Sequence, residues 1–402
     1  MNYLFIHQSM PSQFMHLAPA LARQPGNRVV FLTQRAEARV AGVHSVVYKP
    51  SRLARPETHH YTRLYENCVL NGQQVLREVQ ALLRDGFRPD LIVAHSGWGE
   101  ALFLKDVLPN TPLLDYCEFY YHGQGADVGF SADQPAGLDA ACRARARNAH
   151  LLLSLDSCDR GLSPTRWQRD SHPAAYRDKI RVIFDGIDTA RVGPDPAAVF
   201  TLPDGRTLTT TDIVVTYVAR NLEPYRGFPS FMRAVPAILR DSPAAHIVIV
   251  GGDGVSYGRG PPGGGGWRQH MLDEIGPIDA SRVHLIGRLP YAAYLSLLQI
   301  STAHVYLTVP FVLSWSCLEA LACGCVVVGS RTPPVEEVIA DGENGFLVDF
   351  HDPAAIAAGV TIAVVRRREL AAMRAEARAI IERHYALAYC LPAQLALLHE
   401  MI

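Results

Sequence analysis

Apolar residues in this chain gather in short runs, and each run is followed by a longer stretch in which they recur at helical spacing. Residues 3–6 are predicted as a buried strand, with residues 14–22 as the helix after it and Ser12 as its N-cap. Further strands are predicted at 29–32, 91–94, 113–116, 151–153 and 180–184. The pattern then restarts. A strand at 213–218 leads into a helix over 227–239, and strands follow at 247–250, 283–285, 303–307 and 325–329.

Strands that alternate with helices imply parallel sheets covered on both faces. Between the two series, residues 185–188 and 192–196 are rich in turn formers and read as a hinge. The expected organisation is therefore two doubly wound α/β domains, residues 1–188 and 189–380. A terminal helical stretch, 381–402, is expected to pack back on the first. The segment 257–266 contains Gly-Pro-Pro-Gly-Gly-Gly-Gly and is predicted as a loop. It follows Gly251-Gly252-Asp253-Gly254, a superficial dinucleotide fingerprint, but no helix opens at once and no acidic residue stands at the required distance. A nicotinamide cofactor is not expected.

A length of 402 residues suits two domains, and 49% hydrophobic with 19% charged residues allows each a full core. The formal net charge is -1, so no global basic field exists to hold nucleic acid. Any anionic ligand must then be held by a few local charges. The eight cysteines match no zinc-ligand spacing and read as buried free thiols. No metal is expected. The N-terminus lacks the features of a signal peptide, and no apolar run is long enough to span a bilayer. A cytoplasmic location is the expectation, with peripheral membrane contact left open.

Three segments of the second half carry candidate chemistry, each at the expected carboxyl end of a strand, where open parallel sheets bind ligands. In the first, Arg220 and Arg226 flank a loop before a helix N-terminus, a setting suited to phosphate. In the second, Gly287 and Arg288 end a strand, and Gly287 permits close backbone approach to a flat base. In the third, Ser314, Trp315 and Ser316 open a helix whose first-turn amides and hydroxyls could cradle a diphosphate. Glu319 follows on that helix among apolar neighbours. A carboxylate there is costly unless paired, and a ribose diol would pair with it.

The run from Glu319-Ala320-Leu321-Ala322-Cys323-Gly324 to Ser330, with Asp341-Gly342-Glu343-Asn344-Gly345 downstream, resembles the signature of the retaining glycosyltransferases of family 4. Arg220 and Arg226 fall where that family places its basic phosphate pair, and Ile183 to Asp188 resembles its segment at the domain junction. The resemblance implies the GT-B architecture, two Rossmann-like domains facing a cleft. It also implies a nucleoside-diphosphate sugar as donor substrate rather than a bound cofactor. Two positions depart from the pattern. Phe311 stands where the family has a sugar-reading Glu, and the family's first-half histidine is absent from its usual strand end. Glu118, His122 and His95 are the candidates for that catalytic role.

The activity so implied is transfer of a sugar to an acceptor hydroxyl with retention, in glycan or polysaccharide synthesis. The acceptor could be a glycan, a lipid-linked molecule or a small molecule. A sugar-nucleotide epimerase of the same architecture, or a non-catalytic nucleotide-binding partner, are the alternatives. The aromatic density at Trp98, Tyr116 and Phe119-Tyr120-Tyr121 offers stacking surface for a sugar ring. Since side chains alternate along a strand, these rings cannot all face inward.

Overall fold

The computed structural model describes all 402 residues. The chain forms two compact units: Met1–Gln124 with Ala136–Gly186 and Leu387–Ile402, and Gly125–Pro135 with Ile187–Ala386.

The first unit is built on seven strands: β1 (Asn2–Ile6), β2 (Arg28–Thr33), β3 (Val43–Val47), β4 (Leu91–His95), β5 (Leu113–Tyr116), β6 (Arg160–Ser163) and β7 (Ile180–Val182). All pair in parallel, in the order β3-β2-β1-β4-β5-β6-β7. The central strands are buried on both faces. Tyr3 and Phe5 of β1 pack on one side with Phe14, Phe31 and Leu398, while Leu4 and Ile6 pack on the other with Val75, Val79 and Tyr48. This two-sided burial explains why β1, β2, β4 and β5 read as near-continuous apolar runs.

In the second unit β8 (Val199–Thr201) and β9 (Thr207–Thr209) make a small antiparallel hairpin. The main sheet contains β10 (Ile213–Asn221), β11 (Ala245–Gly252), β12 (Val283–Gly287), β13 (Ala303–Tyr306), β14 (Val326–Ser330) and β15 (Phe346–Val348). Its order is β12-β11-β10-β13-β14-β15, again all parallel. Two doubly wound parallel sheets are thus present, as the periodicity predicted. No helix is long and apolar enough to cross a membrane.

Several local expectations are corrected. The run 151–153 is not a strand but part of the helix Ala149–Ser157. Leu151 and Leu155, four residues apart, are buried, whereas Leu152 and Leu153 face out. The strand is β6, a little later. The first helix begins at Leu17; Ser12 lies in a preceding 3-10 turn and caps no α-helix. The edge strand β3 was invisible because its residues are half exposed and follow no apolar run.

The chain leaves the first unit after Gly186 rather than 188. The helix Ala371–His384 belongs with the second unit, where Arg378 Nη1 donates to the Ala322 carbonyl at 2.9 Å. Only Leu387–Ile402 returns to the first unit, where Leu397 and Leu398 join the core and Gln394 Nε2 donates to the Phe184 carbonyl at 2.8 Å. Residues 125–135 pack with the second unit through an Arg233–Asp133 ion pair of 2.7 Å and a Phe130–Phe350 ring contact of 5.3 Å. No sequence pattern announces that exchange.

Candidate active site

In an open parallel sheet the crevice for a ligand forms where neighbouring strands send their connections to opposite faces. In the first sheet that point lies between β1 and β4, and in the second between β10 and β13. Each carries a cluster of polar side chains at the carboxyl strand ends.

In the first unit His7 directly follows β1, His95 ends β4 and Glu118 lies two residues beyond β5. The His7 and His95 rings are 4.9 Å apart, and the Trp98 ring lies 5.0 Å from His7 and 4.7 Å from His95. His95 Nδ1 accepts the Gly97 N–H at 3.0 Å, and His7 Nδ1 accepts the Ser9 N–H at 2.8 Å. A neutral imidazole with Nδ1 accepting must carry its proton on Nε2. Burial pushes the His7 pKa down to about 3 and that of His95 well below its ordinary value, so both rings are neutral near pH 7.

His95 Nε2 lies 3.7 Å from Glu118 Oε2, and Gln13 Nε2 donates to Glu118 Oε1 at 2.9 Å. Gly97 is required by this packing, because a Cβ there would lie 2.8 Å from His95 Cε1. The arrangement makes His95 a hydrogen-bond donor in its resting tautomer and Glu118 a carboxylate acceptor beside it. Gln13, which fixes Glu118, could not be found by spacing. The signal for His7 was a polar residue immediately after an apolar strand, as for His95.

His122 is held differently. Its Nε2 lies 2.7 Å from the Ser171 carbonyl, which can only accept, so this nitrogen carries a proton. The ring lines a cavity of about 460 Å³ with Tyr120, Tyr121 and Arg145. Strand alternation does not govern these aromatics. β5 ends at Tyr116; Tyr116 and Phe119 are buried, and Tyr120 and Tyr121 line this cavity from the loop that follows.

In the second unit Arg226 is half buried beyond β10. Its Nη1 donates to Thr308 Oγ1 at 2.8 Å, to the Val312 carbonyl at 3.0 Å and to Tyr306 Oη at 3.3 Å. These contacts fix the guanidinium through Nη1 against the segment after β13, with Tyr257 beside it. Gly227 follows at φ 65°, and a Cβ there would lie 2.5 Å from Leu307 Cβ, so the backbone passes close under β13. Arg220 sits at an irregularity of β10, exposed and with no bonded partner. Arg288, just after β12 and beyond Gly287 at φ 83°, donates to Asn221 Oδ1 at 3.1 Å.

The helix Trp315–Ala322 opens with Ser314 as N-cap. The Ser314 N–H donates to Tyr306 Oη at 2.8 Å, and Ser314 Oγ lies 3.0 Å from Ser316 Oγ. The donors expected to cradle a diphosphate are therefore engaged within the protein, and a phosphate would have to replace those partners. Glu319 is likewise engaged. Its Oε1 accepts from Tyr291 Oη and its Oε2 from Tyr294 Oη, each at 2.7 Å. Burial pushes this carboxyl up, and the two hydroxyls draw it back.

At Phe311 the protein has an aromatic cluster. The Phe311 ring lies 5.1 Å from Tyr257 and 5.7 Å from Tyr225, both edge to face, and the Arg226 guanidinium stands 5.6 Å from the Tyr257 ring centre. Tyr257 comes from the glycine-rich loop. The buried Glu223 holds that loop, its Oε2 accepting the N–H groups of Ser256 at 3.0 Å and Tyr257 at 3.1 Å. Asp127 accepts from Tyr225 Oη at 2.8 Å. Glu223 and Tyr257 were not foreseen, because the loop carries no period that places its side chains.

Two parallel-sheet domains, each with a polar cluster at its switch point, define an α/β protein of the GT-B class. Residues 25–192 match the family model described as glycosyl transferase family 4 group, and residues 202–380 match glycosyl transferases group 1. The chain belongs to the family 4 glycosyltransferases. It is 30% identical over 190 residues to the D-inositol 3-phosphate glycosyltransferase of Acidothermus cellulolyticus, covering 46% of this chain and 40% of that one. It is 29% identical over 210 residues to a GDP-mannose-dependent alpha-(1-6)-phosphatidylinositol monomannoside mannosyltransferase of Mycolicibacterium smegmatis, covering 50% of each. The chain thus spans half or less of the length of these curated relatives.

Among solved structures, sucrose-phosphate synthase from Thermosynechococcus elongatus superposes with a TM-score of 0.72 at 16% identity, over 100% of this chain and 98% of that one. The Anabaena protein HepE, in complex with UDP-glucose, gives 0.69 at 14% identity over 100% of both chains. At these identities the likeness is one of fold.

Proposed function

We propose that the protein transfers a sugar from a nucleoside-diphosphate sugar to an acceptor hydroxyl, with retention at the anomeric carbon. The observation that carries this reading is Arg226. A guanidinium is locked by three acceptors at the switch point of the second sheet, beside the N-terminus of the Trp315–Ala322 helix. As the glycosidic bond breaks, negative charge grows on the departing diphosphate. A preorganised cation stabilises it without reorganising. Arg220, exposed near the end of β10, adds a second charge, and Arg288 with Gly287 borders the strand end that would receive the base.

Glu319 would take the ribose hydroxyls by exchanging them for its tyrosine partners. The sugar itself would meet the Phe311, Tyr225 and Tyr257 rings rather than a carboxylate at position 311, a surface suited to the C–H face of a pyranose. On the acceptor side, Glu118 accepts and the Nε2–H of His95 donates, a pair able to orient a hydroxyl. Relatives that use GDP-mannose or act on inositol phosphates, and the UDP-glucose bound by HepE, support a nucleotide-sugar donor. A role in glycan or polysaccharide synthesis belongs to the same proposal.

The test is a thermal-shift screen over uridine, guanosine, adenosine, thymidine and cytidine diphosphates, followed by transfer assays with sugars of the stabilising nucleotide. Stabilisation by one nucleoside diphosphate, lost in Arg226→Ala, is expected. Failure of all five to bind would overturn the reading, and formation of an epimerised donor without transfer would redirect it to epimerase chemistry.

A further inference from the structure

The first unit contains a second concentration of positive charge, remote in sequence from Arg220, Arg226 and Arg288. Residues 166–181 carry Arg166, Arg169, Arg177, Lys179 and Arg181 against only Asp170 and Asp178, in a chain whose formal net charge is -1. Four of these arginines, 166, 169, 177 and 181, line one cavity of about 530 Å³. That volume lies within the range of small-molecule sites, about 300–1,000 Å³. The cavity lies along the edge strand β7, with Ile183 and Leu397 supplying an apolar portion of its wall. Leu397 belongs to the returning terminal helix, so this cavity does not exist until that helix has docked.

Arg177 is the group that gives the cavity its chemistry. Its Nε donates to the His172 carbonyl at 2.8 Å and its Nη2 to the Asp170 carbonyl at 2.7 Å. Neutral carbonyls hold the guanidinium in place without cancelling its charge, and its Nη1 hydrogens are not used by them. Arg181 is only loosely balanced, with Nη2 3.8 Å from Glu400 Oε2, beyond hydrogen-bond distance. Arg169 pairs with Asp170 at 2.8 Å, and Asp178 and Glu400 are the acidic groups on the lining. Arg177 and Arg181, neither of them hydrogen-bonded to a carboxylate, give this part of the cavity its positive charge. A planar fork held in advance favours a compact oxyanion, and phosphate above others, because two N–H groups match two phosphate oxygens.

We infer that this cavity is a phosphate-binding site, separate from the diphosphate site around Arg226, for a phosphorylated ligand. The phosphate could belong to a water-soluble compound or to a lipid headgroup, and the chemistry of recognition is the same. The apolar wall beside the arginines would receive the part of the ligand next to the phosphate.

The experiment uses the full chain in the Arg226→Ala background, which removes the expected donor-diphosphate contribution. Calorimetric titration with inorganic pyrophosphate should show saturable binding, and adding Arg181→Glu should weaken it by about tenfold or more. Arg177→Ala should weaken it as well; because Arg177 also ties the Asp170–His172 turn, the exposed Arg181 is the cleaner probe. In parallel, vesicles of phosphatidylcholine with and without phosphatidylglycerol are pelleted with the protein. Co-sedimentation that needs phosphatidylglycerol and is lost in Arg181→Glu assigns the site to a lipid phosphate. Pyrophosphate binding lost in Arg181→Glu without co-sedimentation assigns it to a soluble one. Pyrophosphate binding unchanged by Arg181→Glu, with no Arg181-dependent co-sedimentation, overturns the inference, whatever the fate of the donor-site reading.

Discussion

Tyr294 Oη donates to Glu319 Oε2 at 2.7 Å, while Tyr291 Oη serves the other oxygen of the same carboxylate at the same distance. A half-buried carboxylate on a helix among apolar residues thus has both oxygens matched by neutral donors, which keeps it acceptor-only and ready to exchange one donor for another. Glu319→Gln retains the shape but turns one acceptor into a donor facing a hydroxyl. A loss of nucleoside-diphosphate affinity of about tenfold is expected, measured by calorimetry, with Tm lowered slightly. Tyr294→Phe should lower stability by about 1 kcal/mol through the lost hydrogen bond and leave nucleotide affinity within about threefold. An affinity unchanged in Glu319→Gln would remove that residue from the donor site.

Arg226→Ala removes the anchored cation and leaves Thr308 Oγ1 and the Val312 carbonyl without their donor. Turnover should fall by more than about tenfold, since one charge-assisted contact to a developing charge is worth a few kcal/mol. Arg226→Lys should recover part of this, because a lysine keeps the charge but not the fork. Single-turnover kinetics with saturating donor separates this loss from a loss of binding.

Glu223 accepts three backbone N–H groups of the glycine-rich loop, those of Ser256, Tyr257 and Gly258. Glu223→Ala should release the loop and the Tyr257 ring from the Phe311 cluster. The expected result is faster amide hydrogen exchange at residues 256–258, with exchange in β10 and β11 little changed. Protection unchanged at these three amides would show that the loop is held by other means.

Asp115 lies on β5, buried, and burial pushes its carboxyl up to about 8. In the unfolded chain the same group titrates near 3.9. Between about pH 4 and about pH 8, therefore, the unfolded chain has lost a proton that the folded one keeps. The contribution of Asp115 to stability is complete below that window and is lost as the pH rises through it. Asp115→Asn should raise Tm most at pH 8 and least at pH 4, reducing the slope of stability against pH. Thermal melts of both proteins across this range check the sign.

What the sequence determined by itself was the local and periodic part. Strands buried on both faces announce themselves as apolar runs, so β1, β2, β4, β5 and β10 through β14 were legible, and with them two doubly wound sheets. The helix opening near Ser314 and Arg226 before a helix were legible for the same reason, since helix starts and strand-end loops are set by a few neighbouring residues. The residues 151–153 misled because a three-residue apolar run has no period that tells a strand from a buried helix.

Everything that depends on residues far apart in the chain was decided by tertiary structure. His95 and Gln13 meet Glu118, and His7 meets His95, only because β1, β4 and β5 lie side by side. Tyr291 and Tyr294 reach Glu319 across 28 and 25 residues. The passage of residues 125–135 into the second unit, and the return of only 387–402 to the first, follow from packing of Phe130 and Leu397 that no local pattern records. Partners for buried polar groups are chosen by three-dimensional proximity, and periodicity contains no information about it.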